Sequence, residues 1–402
     1  MITVLLVFLV CSLFWCPKVA ALSRKKRHKT VDLDEVEVDE AGEDLSIEGT
    51  ASLTVDAFLQ GNSPSSSAAT SGASGCGRRF RGEVLAYVTP WNGKGYDQAK
   101  VSAASLTWLA PVWFQIRASH GSGVSGDELL FTVTGEHDVD EGWIEDVWTA
   151  SATESSTSGA LHVVPRVALE APLKCASSGK DDACRDVAVE LDHLRKKHGF
   201  DGYTLEIPLE YWQAGAVLSA LLRHMGSRIV YVLPPLDADP ATGDYSGYEG
   251  FFAVFEESVD RFSVMTYDKS KGTGEPNAPL PWVKSVMSGL AGLETNRKKH
   301  TAVRDKLLMG IPLYGWRSDG EALTGDAAVS WLQKSGGAAA ISWQDIAQEH
   351  QFSGSVGGRR LTASYPTMPF LCARLALAEE LGVKGVALWE MGQSLEYLME
   401  AF

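Results

Sequence analysis

Positive charge is scarce in this sequence: 36 Lys and Arg face 51 Asp and Glu, a formal net charge of −15. A surface of that sign repels a phosphate backbone and excludes an electrostatic nucleic-acid binder. No Cys/His spacing has the pattern of a structural zinc site, and no glycine loop has the pattern of a phosphate cradle. Neither a metal nor an organic cofactor is implied. Acceptors of the form Asn-x-Ser/Thr with a permitted middle residue are missing too, so glycosylation says nothing about compartment.

Long apolar runs are equally rare. The one candidate is "MITVLLVFLVCSLFWCPKVAALS", Met1 to Ser23. It is short for a membrane span and ends in small residues, which predicts a secretory signal peptide over residues 1–22. Once it is cleaved, no stable membrane insertion is expected. The destination is then extracellular or lumenal, a lysosome-like compartment included. Cys11 and Cys16 leave with the signal, and Cys76, Cys175, Cys184 and Cys372 remain. In an oxidising compartment Cys175 and Cys184 are candidates for a disulfide closing a short loop. Four unpaired thiols are the alternative, because spacing alone does not fix a pairing.

After the signal comes a basic cluster, "SRKKRHK" (Ser23 to Lys29), either a processing site or a solvated charge run. The acidic "VDLDEVEVDEAGEDLSIEG" follows, then "GNSPSSSAATSGASG". Charge blocks and a Ser/Gly/Ala tract bury too little surface to order themselves, which predicts a mostly disordered stalk over residues 23–80.

From Arg81 the texture changes. The chain as a whole, 402 residues with 45% apolar and 22% charged, has the composition of an ordinary globular protein. Apolar, β-branched runs now alternate with helical stretches: "EVLAYVTPW", "LTWLAPVWFQI", "LHVVPRVALE", "FDGYTLEI", "RIVYVLPP", "RFSVMTYD", "KLLMGIPLYG" and "KGVALWEMG". Eight such alternations predict an α/β fold, a (β/α)8 TIM barrel over residues 81–402, with a doubly wound sheet as the rival. Several runs end in polar or aromatic residues, as expected where all strand ends face one cleft. Between the seventh and eighth runs, Arg317 to Tyr365 reads as a small insertion on the cleft rim, carrying "AISWQDI" and "RRLTASY".

These pieces resemble glycoside hydrolase family 18, the chitinase family, and most closely its chitinase-domain-containing subgroup of secreted chitinase-like lectins. The resemblance covers roughly Arg81 to Phe402 and rests on "VLAYVTPWNGKGYD", "GEHDVDEGW", "HGFDGY", "FSVMTYD", "NAPLPWV", "GIPLYGW" and "GVALWEMGQ" in that order. The family's catalytic strand reads Asp-Gly-x-Asp-x-Asp-x-Glu. Here Asp201 and Gly202 match, Thr204 and Glu206 replace the second and third aspartates, and Pro208 stands where the family has its general acid. The subgroup shares that departure.

Alternation along a strand turns Thr204, Glu206 and Pro208 to the barrel interior together, with about 6.6 Å between every second residue. Glu206 therefore sits one step too deep to serve as the acid. The family's substrate-assisted reaction needs a carboxyl to protonate the leaving oxygen, a contribution of about 10²–10⁴ in rate. Catalytic residues of the usual kind are not expected. Glu210 is the rescue candidate and Glu390 a second, although Trp389 facing the cleft would turn Glu390 away.

The resemblance implies that Tyr267 and Asp268 contact an acetamido group and that Trp389 is the floor on which a sugar stacks. Tyr87, Trp113 and Glu206 are further substrate-binding candidates, and Trp91, Trp212 and Tyr314 extend the possible platform. Asp201 reads as a backbone-bonding residue, Glu170 as a further polar candidate, and Glu206 beside Asp268 as a carboxyl pair sharing a proton. The function implied is a secreted or lumenal lectin for chitin or N-acetylglucosamine-type oligosaccharides, leaning away from catalysis. An active glycosidase using Glu210 and a barrel scaffold acting through a sorting or receptor protein are the alternatives.

Overall fold

A computed structural model describes residues 53–59, 76, 79–120, 129–153, 160–170, 183–207, 227–239, 242–255, 258–296 and 301–402. The expectations on the signal segment, Cys175, Pro208, Glu210 and Trp212 lie outside these residues, as does the side chain of Cys184.

The core is a parallel sheet wound into a ring. Its strands are β1 (Glu83–Val88), β2 (Trp108–Pro111), β3 (Phe114–His120), β4 (Leu129–Thr134), β5 (His162–Val163), β6 (Arg166–Leu169), β7 (Gly202–Glu206), β8 (Arg228–Leu233) and β9 (Arg261–Val264). After a small hairpin, β10 (Glu294–Asn296) and β11 (Thr301–Ala302), the ring continues through β12 (Leu307–Pro312). It ends with β18 (Gly385–Trp389), which pairs with both β12 and β1.

Two barrel strands are each broken in the middle. β2 pairs with β1 and β5, while β3 pairs with β6. The second barrel strand is thus β2 with β3, the third is β5 with β6, and eight parallel positions close the circle. β4 is an added antiparallel neighbour of β3. The parallel strands are mostly buried, β12 at all six positions, as expected for parallel strands covered on the outside by helices. A small interior cluster built on Leu85, Tyr87, Trp108, Val230 and Leu308 fills the ring.

The covering helices are α2 (Gly93–Val101), α3 (Glu141–Thr153), α4 (Ala183–His198), α5 (Glu249–Phe255) and α6 (Leu280–Ala291), with α8 (Met368–Glu380) ahead of the last strand. Gly382 takes φ of 62°, a left-handed conformation that favours glycine.

Between β12 and β18 lies the insertion. It opens with β13 (Gly315–Trp316) and β14 (Ala322–Leu323), then α7 (Gly325–Ser335). A three-stranded antiparallel sheet follows: β15 (Ala340–Gln344), β16 (Glu349–Val356) and β17 (Arg359–Tyr365). "AISWQ" and "RRLTASY" are its outer strands.

Part of the expected stalk is built into this insertion. Val55–Leu59 forms a short helix, α1, and Leu53 and Phe58 are buried in one cluster with Trp331, Phe352 and Tyr365. The Phe58 ring lies 5.0 Å from that of Phe352. Cys76 forms a disulfide with Cys372 on α8. A continuous stalk over 23–80 is therefore corrected at these positions. Composition averaged over the segment hides two apolar anchors and one cysteine whose partners lie far along the chain.

Candidate functional site

Tyr87, Glu206 and Trp389 sit at or near the carboxyl ends of barrel strands, and Tyr267 and Asp268 follow the end of β9, on the face where loops from every strand converge. Tyr87 near the end of β1 and Trp389 at the end of β18 lie with ring centroids 5.1 Å apart. The Tyr87 hydroxyl donates to Ser263 Oγ at 3.0 Å, which fixes the ring against β9.

Glu206 ends β7, and its neighbour is a residue that sequence reasoning missed. Arg166, on β6, donates from Nε to Glu206 Oε2 at 2.7 Å, and its Nη2 lies 2.6 Å from the same oxygen. The guanidinium carbon also stands over the Trp389 ring, 5.7 Å from its centroid, a favourable placement for a cation on an indole face. Register pairs Arg166 with Thr204, so the arginine starts one step below Glu206 and reaches up to it.

Asp268, after β9, is held differently. Its carboxylate Oδ1 accepts from the Tyr314 hydroxyl and from Trp316 Nε1, the latter at 2.7 Å. Its backbone has φ of 64°, in the left-handed region where a non-glycine residue is strained by about 1–3 kcal/mol. The Asp268 N–H donates to Asn277 Oδ1 at 2.9 Å, which helps hold that conformation.

Tyr267 packs edge-on to Tyr314 at 6.3 Å. Burial pushes its hydroxyl well above the ordinary range, and the charges of Asp268 and Glu206 push the same way. Tyr267 therefore stays protonated and can donate a hydrogen bond. Gly310 on β12 makes room for it: a Cβ there would lie 2.3 Å from Val264 O and 3.0 Å from the Tyr267 ring.

The expected Glu206–Asp268 pair is thus replaced by two separately satisfied carboxylates, one on a guanidinium and one on neutral donors. Thr204 is fully buried and donates to Val164 O at 3.0 Å. Asp201 accepts from the Val163 N–H at 2.8 Å, a backbone-holding role. Trp113 is not in the cleft. It is fully buried, donates from Nε1 to the Tyr96 hydroxyl at 2.7 Å, and packs on Phe114, Trp143 and Phe200. Trp91 is 58% exposed. Glu170 forms an ion pair with Arg117 at 2.9 Å.

Glu390 is 1% exposed and accepts from Asn92 Nδ2 at 2.9 Å and from the Gly392 N–H at 3.0 Å. Burial raises its pKa to about 7, because these donors are neutral and offset only part of the desolvation. Among the described residues, no group of three His, Cys, Asp or Glu side chains is placed to hold a metal ion.

No family model matches the sequence. Solved structures do match the fold. A chitinase from Chromobacterium violaceum is 17% identical, with 80% of this chain and 97% of that chain covered and a TM-score of 0.58. The spore cortex-lytic enzyme SleL of Bacillus cereus is 16% identical over 80% and 74%, with a TM-score of 0.57. A family GH18 chitinase from Cycas revoluta, in complex with allosamidin, is 13% identical over 79% and 97%, at 0.54. In fold, the chain is similar to the family 18 chitinases. Among the described residues, no helix is long and apolar enough to cross a membrane.

Proposed function

We propose that this protein is a chitinase-like lectin of the secretory pathway that holds N-acetylglucosamine-type oligosaccharides at the barrel mouth without cutting them. The observation that carries this reading is one mouth holding Trp389, Tyr87, Tyr267, Asp268 and the Arg166–Glu206 pair. A pyranose presents an apolar face of C–H groups ringed by hydroxyls, which suits a flat aromatic floor flanked by fixed donors and acceptors. Arg166 Nε and Nη2 both contact Glu206 Oε2 and use that carboxyl as an acceptor. Pro208 stands at the family's acid position and carries no proton to give. The Cycas revoluta chitinase is found in complex with (GlcNAc)3 and (GlcNAc)4, which supports the ligand class. Delivery by residues 1–22 and a sorting or receptor protein as partner belong to the same proposal.

Calorimetric titration of the full chain with N-acetylglucosamine oligomers, with the same samples checked for cleavage products, tests it. Binding without products is expected, with Trp389→Ala weakening affinity by about tenfold or more, since burying a large apolar side chain contributes about 1.5–3 kcal/mol. Cleavage products would overturn the lectin reading and point to Glu210. Absence of both heat and products would remove sugar binding altogether.

A further inference from the structure

The motif "NAPLPWV" touches the sugar site only through its first residue, Asn277, which holds the Asp268 N–H. Asn277 is 2% exposed. Its Oδ1 accepts from the Asp268 N–H at 2.9 Å, its Nδ2 donates to Tyr314 O at 3.1 Å, and its own carbonyl accepts from the Lys269 N–H at 3.0 Å. One asparagine thus holds the backbone on both sides of the Asp268–Tyr314 contact.

Asn277 is itself held from the insertion. Glu349, the first residue of β16 and 2% exposed, accepts from the Asn277 N–H at 2.9 Å and from the Ala278 N–H at 2.8 Å. Arg374 of α8, 1% exposed, stands 3.2 Å from Glu349 and donates to the carbonyls of Ala278, Ala347, Gln348 and Phe370. Two buried charges and seven hydrogen bonds are far more than a surface flap needs. A buried carboxylate is tolerated only when paired and bonded in this way.

We infer that the inserted sheet positions the sixth-strand ligand residue: Glu349 fixes Asn277, and Asn277 holds Asp268 in its left-handed conformation with its carboxylate on Tyr314 and Trp316. The insertion acts as a buttress for the loop that carries Asp268 and Asn277, reaching it from between β12 and β18. The sugar arm of the test rests on the lectin reading; the positioning itself does not.

The Trp316 indole N–H resonance reports the test, because that proton points at Asp268 Oδ1. The reference is the Trp108 indole, which donates to Glu83 Oε2 at 2.7 Å on a different side chain. In the full chain, Glu349→Gln and Asn277→Ala are each expected to shift the Trp316 resonance upfield and leave that of Trp108 in place. Each should lower affinity for an N-acetylglucosamine tetramer by about tenfold, as for one lost, well-placed hydrogen bond. Asn277→Ala buries no unpaired charge, so it keeps the question open to measurement if Glu349→Gln does not fold. A shifted Trp316 resonance with unchanged affinity supports the positioning and counts against the sugar reading of Asp268. A Trp316 resonance that stays put in folded Asn277→Ala overturns the inference.

Discussion

Two carboxylates stand at the same barrel mouth and are held in opposite ways. Among the described residues Glu206 is held by Arg166 from the adjacent strand, and its side chain is 32% exposed. Asp268 depends on a tyrosine, a tryptophan and Asn277, and through Asn277 on a buried Glu349–Arg374 pair. The fourth-strand side carries the departure from the pattern the sequence resembles, and the support of Glu206 there is local. The sixth-strand side matches that pattern, and the support of Asp268 spreads through the inserted sheet and α8. A carboxylate beside a guanidinium needs little beyond that neighbour, whereas one on neutral donors and a left-handed backbone is held by a scaffold.

This contrast can be broken by removing each support. The largest effect is expected from Arg374→Met, which strands Glu349 as a buried charge and should cost about 3–5 kcal/mol in denaturant unfolding. A loss below about 1 kcal/mol would mean that the scaffold under Asp268 is incidental.

Next comes Glu390, the third carboxyl of the region, which has neutral donors only. Its folded pKa of about 7 lies above the ordinary 4.5. Its contribution is therefore fully present below pH 4.5 and lost as pH rises through about 7. That is a swing of order 3 kcal/mol by linkage. Glu390→Gln should remove this slope between pH 4.5 and 7, as read from unfolding at a series of pH values. An unchanged slope would place the titration elsewhere.

The smallest effect is expected from Arg166→Met. Water reaches Glu206 and replaces much of the lost pairing, so a loss of about 1 kcal/mol follows. A cost equal to that of Arg374→Met would erase the distinction between the two sides.

Much of the barrel was legible because its strands are buried on both faces and read as apolar runs, and "AISWQDI" and "RRLTASY" showed the inserted strands. The breaks after Pro111 and Val163 were not read from the sequence, although Pro111 and Pro165 stand at them, because both halves of each strand read as one run. At the site, Tyr267, Asp268 and Trp389 were named by the resemblance carried in "FSVMTYD" and "GVALWEMGQ". Arg166 did not stand out, because an arginine inside a strand ordinarily marks a solvated face, and only its pairing register brings it beneath Glu206. Trp113 looked equally placed for the cleft, but the break between β2 and β3 turns it outward under α2 and α3. Glu349 and Arg374 were invisible for a related reason: two charges far apart in sequence look exposed until folding buries them together.

The docked helix α1 and the Cys76–Cys372 bond bear on where this protein begins as a physical object. Composition draws the line at Arg81. A chain cut there would uncover Phe352 and Tyr365, remove Phe58 and Leu53 from the insertion's apolar core and leave Cys372 as a lone thiol. Deleting a buried phenyl ring alone ordinarily costs about 3–5 kcal/mol. The insertion that supports Asp268 is itself covered by α1, so the cleft's furthest support lies on the amino-terminal side of its own barrel. The smallest self-contained unit starts upstream of Leu53, and the boundary in composition and the boundary in packing are different places.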